Sequence, residues 1–213
     1  MYDLHTHTIF SDGELIPSEL LRRAEVIGLK AIAFTDHADA SNIDFIISKI
    51  IKVCNELNKL KKIKCLPGVE ITHCPPPSIQ SLVKKARNLG AKVVVVHGET
   101  IVEPVEKGTN IAAIRSRVDI LAHPGLITDD EVKEAVKNGV FLEISGRKGH
   151  SLGNGHVVNM AKKYGAKLIV NSDAHSPDDL ASPQILKKIA LGAGVTEKEY
   201  RILLSDVEKF IRD

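Results

Sequence analysis

Val93-Val94-Val95-Val96-His97-Gly98 sets the pattern of the whole chain. Four β-branched residues in a row form a run of strand length, apolar on both faces, as in a parallel sheet. A histidine closes the run and a glycine turns the chain. The same order recurs on either side. Val118 to Ala122 is closed by His123 and turned by Pro124, and Lys167 to Val170 leads to Asp173 and His175. Upstream, Tyr2-Asp3-Leu4 precedes His5 and His7, Ala31 to Phe34 precedes His37, and Ile63 to Val69 precedes Glu70.

Strands are expected near 2–5, 30–35, 63–70, 92–97, 118–122, 140–144 and 167–171. Helical periodicity fills the gaps, roughly at 18–28, 42–61, 78–89, 110–116, 129–138, 154–164, 183–191 and 197–212. Thr128 with Glu131 and Thr196 with Glu199 each match the capping box, in which side chains satisfy the orphan amides of a helix start. Gly28, Gly90, Gly139 and Gly165 stand where helices should stop. Repeated strand–helix units without a long linker predict an α/β fold in one domain spanning 1–213. Seven strands allow a barrel or an open doubly wound sheet. An open sheet gathers ligands at one crevice, whereas here nearly every strand end carries a polar candidate, which favours a TIM-like (β/α)7 barrel.

Composition narrows the partners. The chain has 213 residues, 43% hydrophobic, with a formal charge of +2 and 4% aromatics, so neither a basic groove nor a stacking surface for nucleic acid stands out. No apolar stretch is long enough to span a bilayer. Met1 runs straight into the first strand, and three unpaired cysteines suit a reducing compartment, so the cytoplasm is the expected location.

The polar strand ends carry the chemistry. Alternate residues of a strand share a face, so His5 and His7 can reach one ion. Asp173 and His175 repeat that spacing. Asp12 in Ser11-Asp12-Gly13 would read alone as a turn residue. His37 follows Asp36, which could orient an imidazole through its free N–H. Glu70 emerges from an apolar strand with no basic neighbour, and a buried unpaired carboxylate demands compensation that a cation supplies. His97 and His123 each end an apolar strand; a core histidine bonded to backbone is the bland account of either one alone. The exceptional strand end is 140–144, which leads into Ser145-Gly146-Arg147-Lys148-Gly149-His150. Arg147 there is the expected phosphate clamp, with Lys148 and His150 as further substrate-binding candidates.

In combination the motifs resemble the PHP family, the polymerase and histidinol phosphatase metallophosphoesterases. They occur in family order: His5-Thr6-His7 with Ser11-Asp12-Gly13, Thr35-Asp36-His37, Gly68-Val69-Glu70, His97, Ala122-His123-Pro124 and Ser172-Asp173-Ala174-His175. The resemblance covers essentially the whole chain. It implies a distorted seven-stranded barrel holding three divalent ions, whether zinc, manganese or iron. By the same resemblance, His5, His7, Glu70 and Asp173 hold the first ion. Glu70, His97 and His123 hold the second, and Asp12, His37 and His175 the third. Glu70, Asp173 and His175 are carried over as catalytic residues. The activity implied is hydrolysis of a small phosphomonoester resembling histidinol phosphate. A PHP-type or TatD-like nuclease acting on phosphodiesters is the alternative. A non-catalytic module, as in a ribonuclease P subunit of similar fold, would have no reason to keep the full ligand set.

Overall fold

The apolar runs become the strands of a nearly closed parallel barrel in a computed structural model that describes residues 1–212. The strands are β1 (Tyr2–Asp3), β2 (Ala31–Phe34), β3 (His37–Ala38), β4 (Lys64–Ile71), β5 (Val93–His97), β6 (Ile120–Ala122), β7 (Phe141–Ser145) and β8 (Leu168–Asn171). Their order around the ring is β1-β2-β4-β5-β6-β7-β8, with β3 also on β4. Phe34 pairs with Pro67 and His37 with Glu70, so β2 and β3 keep one register along β4. They are two pieces of one interrupted strand, and the ring has the seven positions expected.

The break comes where side chains replace backbone partners. Thr35 Oγ1 accepts from Thr6 N at 3.1 Å, and Thr6 Oγ1 donates to Ala33 O at 2.7 Å. The seam between β1 and β8 is built in the same way. Asn171 Oδ1 accepts from Leu4 N, Asp3 Oδ1 accepts from Ser172 N, and only above them does backbone meet backbone, Asp173 N to His5 O and His7 N to Ala174 O. Side chains that stand in for ladder bonds let the barrel close on short strands while satisfying buried amides.

Helices α1 (Pro17–Val26), α2 (Ile43–Leu60), α3 (Pro76–Leu89), α4 (Thr109–Arg115), α5 (Asp129–Asn138), α6 (Asn154–Tyr164), α7 (Pro183–Gly192) and α8 (Glu197–Arg212) follow the expected spans closely. The α5 capping box is present, with Glu131 N donating to Thr128 Oγ1 and Thr128 N to Glu131 Oε2. Thr196 and Glu199 make the same pair of bonds. Prolines open α1, α3 and α7, where the missing N–H is one of the orphans anyway. Pro76-Pro77 is therefore the first turn of a helix rather than a wall of the mouth. Val93 to Val96, Ile120, Leu121, Leu142 and Ile144 are fully buried. Each such side chain contributes roughly 1.5–3 kcal/mol over an exposed one. No helix among the described residues is long and apolar enough to cross a membrane.

Candidate active site

Every strand end that closes in a polar residue delivers it to one rim. His5, His7, Glu70, His123 and Asp173 are almost wholly buried there, although none is apolar. His5 Nε2 lies 3.3 Å from Glu70 Oε1 and 3.6 Å from Asp173 Oδ1. His7 Nε2 lies 3.3 Å from Asp173 Oδ1 and 3.7 Å from Glu70 Oε2. His123 Nε2 sits 3.7 Å from both carboxylates. On the solvent side, Asp12 Oδ1 is 3.5 Å from His37 Nε2 and 3.3 Å from His175 Nε2. These spacings exceed a charge-assisted hydrogen bond, which runs about 2.7–2.9 Å. They fall near the edge of a tetrahedron of donors around zinc, about 3.3 Å for bonds of ~2.0 Å.

Tautomers can be read from the outer ring nitrogens. His5 Nδ1 donates to Glu143 Oε1 at 2.8 Å, which leaves the Nε2 lone pair facing Glu70 and Asp173. Glu143 is wholly buried on β7 and also accepts from Asn171 Nδ2 and His123 N. It carries no expected ligand role; it orients the imidazole that does. His37 Nδ1 lies 2.7 Å from both Thr72 Oγ1 and Glu70 Oε2, leaving Nε2 towards Asp12. His97 Nδ1 donates to Gly98 O at 3.2 Å. At His175, Nδ1 has two neighbours, Arg147 Nη1 at 2.6 Å and Asp173 O at 3.0 Å. Donation to the carbonyl leaves Nε2 free to offer a lone pair; acceptance from the arginine does not.

The buried nitrogens and oxygens that remain are the strongest pointer to a ligand. His5 Nε2, both nitrogens of His7, Glu70 Oε1 and His123 Nδ1 have no hydrogen-bond partner among the described residues. Leaving such groups unmatched costs about 1–3 kcal/mol each. Nitrogen and carboxylate donors of this kind suit divalent transition ions. Electrostatics agree. Burial and the neighbouring His37 hold His7 well below its usual range, and burial with His97 does the same for His123. Both are thus neutral, as a ligand must be. Burial would depress His5, but Glu143, Asp173 and Glu70 raise it well above the usual value. Burial pushes Asp173 up to about 7 against the pull of His5, with Glu70 and Glu143 adding to the rise. Burial would raise Glu70, but His5 and His37 hold it well below the usual range, so the crowding of carboxylates falls on Asp173.

Backbone strain marks the same rim. His123, Asp173 and His73 all have positive φ, of 28°, 56° and 51°. Non-glycine residues rarely hold that conformation, and it clusters at functional sites. Gly98 has no room for a side chain: a Cβ there would lie 2.3 Å from Ala122 O.

Above the cluster opens a cavity of about 460 Å³ lined by Asp12, His37, His97, Glu103, Arg147 and His175 among others. Arg147 reaches it as expected, while His150 is buried at its edge with its ring stacked 4.0 Å from that of His123. Lys148 does not: it is exposed and outside the cavity wall, because the chain turns at Gly149 with φ of 93°. Asp36 orients no imidazole. It accepts from Thr8 N, Thr8 Oγ1 and Ser11 Oγ, and so fixes the loop that presents Asp12. Glu99 and Asn154 serve the backbone. Glu99 accepts from Gly108 N and Asn110 N, and Asn154 brackets Ser145. Cys74 is buried beside Thr72 O and belongs to no ligand group among the described residues. Glu103 was not legible in the sequence and lies against His73, His97 and His150.

The profile of the PHP domain matches residues 3–97. An uncharacterized protein of Methanocaldococcus jannaschii is 52% identical over 93% of this chain and 92% of its own. A probable phosphatase of Thermoanaerobacter sp. is 32% identical over 97% of this chain and 91% of its own. The chain belongs to the PHP family. Other relatives carry a different name: a ribonuclease P protein component 3 of Methanosarcina mazei is 29% identical over 99% of this chain and 87% of that one. Among solved structures, histidinol phosphate phosphatase of Lactococcus lactis, complexed with zinc, L-histidinol and phosphate, superposes with a TM-score of 0.63. That match covers 91% of this chain and 93% of the other at 16% identity, a likeness of fold. Sequence and fold thus agree on the PHP family.

Proposed function

We propose that this protein is a cytoplasmic phosphomonoesterase that uses three divalent ions and a small phosphorylated substrate. The observation that carries the reading is the set of buried lone pairs without partners at the base of a small cavity that also admits one guanidinium. His5, His7, Glu70 and Asp173 would hold the first ion, Glu70, His97 and His123 the second, and Asp12, His37 and His175 the third. Zinc is favoured by the donor set, with manganese and iron as alternatives. Bound there, such ions activate water at neutral pH and neutralise phosphate oxygens during in-line displacement.

The chain's own residues supply the rest. Glu143 and the Gly98 carbonyl lock the tautomers of His5 and His97. Asp173 offers its carbonyl to His175 Nδ1, and when that bond is made the Arg147 guanidinium is released from the ring. Freed, Arg147 is placed to grip two phosphate oxygens at once. We assign catalytic roles to Glu70, Asp173 and His175; the last two line the cavity and Glu70 lies buried beneath it. The cavity has room for a small ester, and Arg147 is the one lysine or arginine among its lining residues, which supports a monoester over a strand of nucleic acid. The alcohol of the ester stays open; the histidinol phosphate phosphatase neighbour makes histidinol phosphate the first compound to try.

The ribonuclease P component relatives motivate a second reading, in which the substrate or partner is RNA. One assay separates the two. Metal-loaded protein is offered histidinol phosphate, other small monoesters, a bis-aryl phosphodiester and single-stranded RNA. Monoester turnover with slow or absent diester cleavage is expected. Robust cleavage of diester or RNA beside inert monoesters would overturn the proposal.

A further inference from the structure

Of four side chains at the outer edge of the cluster, His73, His97, Glu103 and His150, only His97 belongs to an expected ligand set. Glu103 comes from the irregular segment between β5 and α4, and its carboxylate reaches back over the mouth. Glu103 Oε2 lies 3.1 Å from His97 Nε2 and 3.2 Å from His73 Nε2, and Glu103 Oε1 lies 3.3 Å from His150 Nε2. His97 faces this carboxylate rather than Glu70. Two of the three rings have their other nitrogen engaged outside the group, His97 Nδ1 on Gly98 O and His150 Nδ1 on Thr100 Oγ1 at 2.8 Å. A neutral His97 bonded to a carbonyl through Nδ1 must present a lone pair at Nε2. That lone pair points at a carboxylate oxygen, so a proton or a metal ion has to lie between them. A proton would serve His97 and Glu103 alone. A divalent ion would serve the neighbouring nitrogens of His123 and His150 as well, and His123 Nδ1 is buried without a partner among the described residues. Ligand atoms of His97, His123 and His150 also lie within 4.8 Å of one another, as do those of His73, His97 and Glu103.

We propose that Glu103 and His150 complete the coordination of the second divalent ion, the one assigned above to Glu70, His97 and His123, and that His73 steadies Glu103 from the rim. The assignment rests on the metallophosphoesterase reading and extends it. The contact lengths, 3.1–3.3 Å, match donor-to-donor edges around a transition ion, about 3.3 Å for tetrahedral bonds of ~2.0 Å. Glu70, His97 and His123 would then come from barrel strand ends, and Glu103 and His150 from the loops above them. The segment over the mouth is tied down through Glu103 when that ion is held.

The test is metal binding, independent of turnover. Apo wild type, Glu103→Gln and His150→Gln are titrated with zinc by calorimetry, and their cobalt forms are compared by visible absorption. Glu103 is partly exposed and its amide is isosteric, so that variant tests the assignment even if His150→Gln folds poorly. Each variant is expected to weaken one site by about 10–100-fold and alter the cobalt spectrum while the remaining sites keep wild-type affinity. Wild-type affinity at every site and an unchanged cobalt spectrum in Glu103→Gln would overturn this ligand assignment alone. A wild-type protein that takes up no zinc would overturn the metal reading with it.

Discussion

The two ends of the barrel are made by the same strands and obey opposite rules. At the lower end Val93, Val94, Ile120 and Leu142 are sealed from solvent, and the polar groups beside them are matched. Asp119 Oδ2, for instance, accepts from Val94 N at 2.7 Å and pairs with Arg87 Nη1 at 2.7 Å. At the upper end His5, His7, Glu70 and His123 are equally buried, yet their ring nitrogens and carboxylate oxygens include unmatched atoms. Positive φ gathers on the rim at His123 and Asp173, against one such residue, Arg117, in the connection that enters β6 from below. The lower end holds the fold together. The upper end gives up stability that a bound cation would restore.

Removing cations should test that division with the largest effect. Treatment with a chelator is expected to cut phosphomonoester turnover by at least roughly 1,000-fold and to leave the circular dichroism spectrum intact, with zinc or manganese restoring the rate. Ligand linkage also predicts a metal-dependent rise in Tm, since ions bind only the folded site. A lower-end substitution should behave in the reverse sense. Ile120→Ala is expected to cost about 2–5 kcal/mol in denaturant unfolding, with metal per chain unchanged in the folded protein. Glu143→Gln comes next, since it touches the rim without being a proposed ligand. A loss of about 10–100-fold in zinc affinity is expected, with His5 no longer held in one tautomer. Arg147→Ala should raise KM for a monoester by roughly tenfold and leave bound metal as it was, because only a charge-assisted contact to phosphate is lost. Metal loss in that variant would give the arginine a structural role. Arg87→Ala, at the lower end, should change stability by under about 1 kcal/mol, as a partly exposed ion pair does.

How much of this was legible in the sequence follows the same line. Lower-end strands announce themselves by composition: Val93 to Val96 can hardly be anything else. Rim residues were legible where a strand run ended on them, as at His97, His123 and Glu70. Glu143 carried a comparable signal, a carboxylate inside Phe141-Leu142-Glu143-Ile144, but no turn follows it directly and its role as an orienting group depends on which ring faces it. Glu103 gave no signal at all. Its place comes from the path of an irregular segment pinned by Glu99 and Asn110, and neither periodicity nor spacing encodes that path. Lys148 fails for a related reason, since a single glycine turn decides whether its side chain enters the mouth or leaves it. The break between β2 and β3 likewise depends on a side-chain bond from Thr35 that only the folded ring creates.

Anomalous diffraction from crystals soaked in zinc, with data on both sides of the zinc edge, tests the central claim most directly. The account predicts strong peaks at the rim, the innermost about 2.0–2.2 Å from the donors of His5, His7, Glu70 and Asp173. Zinc found only on surface side chains, with His5, His7 and Glu70 facing an empty centre, would contradict it.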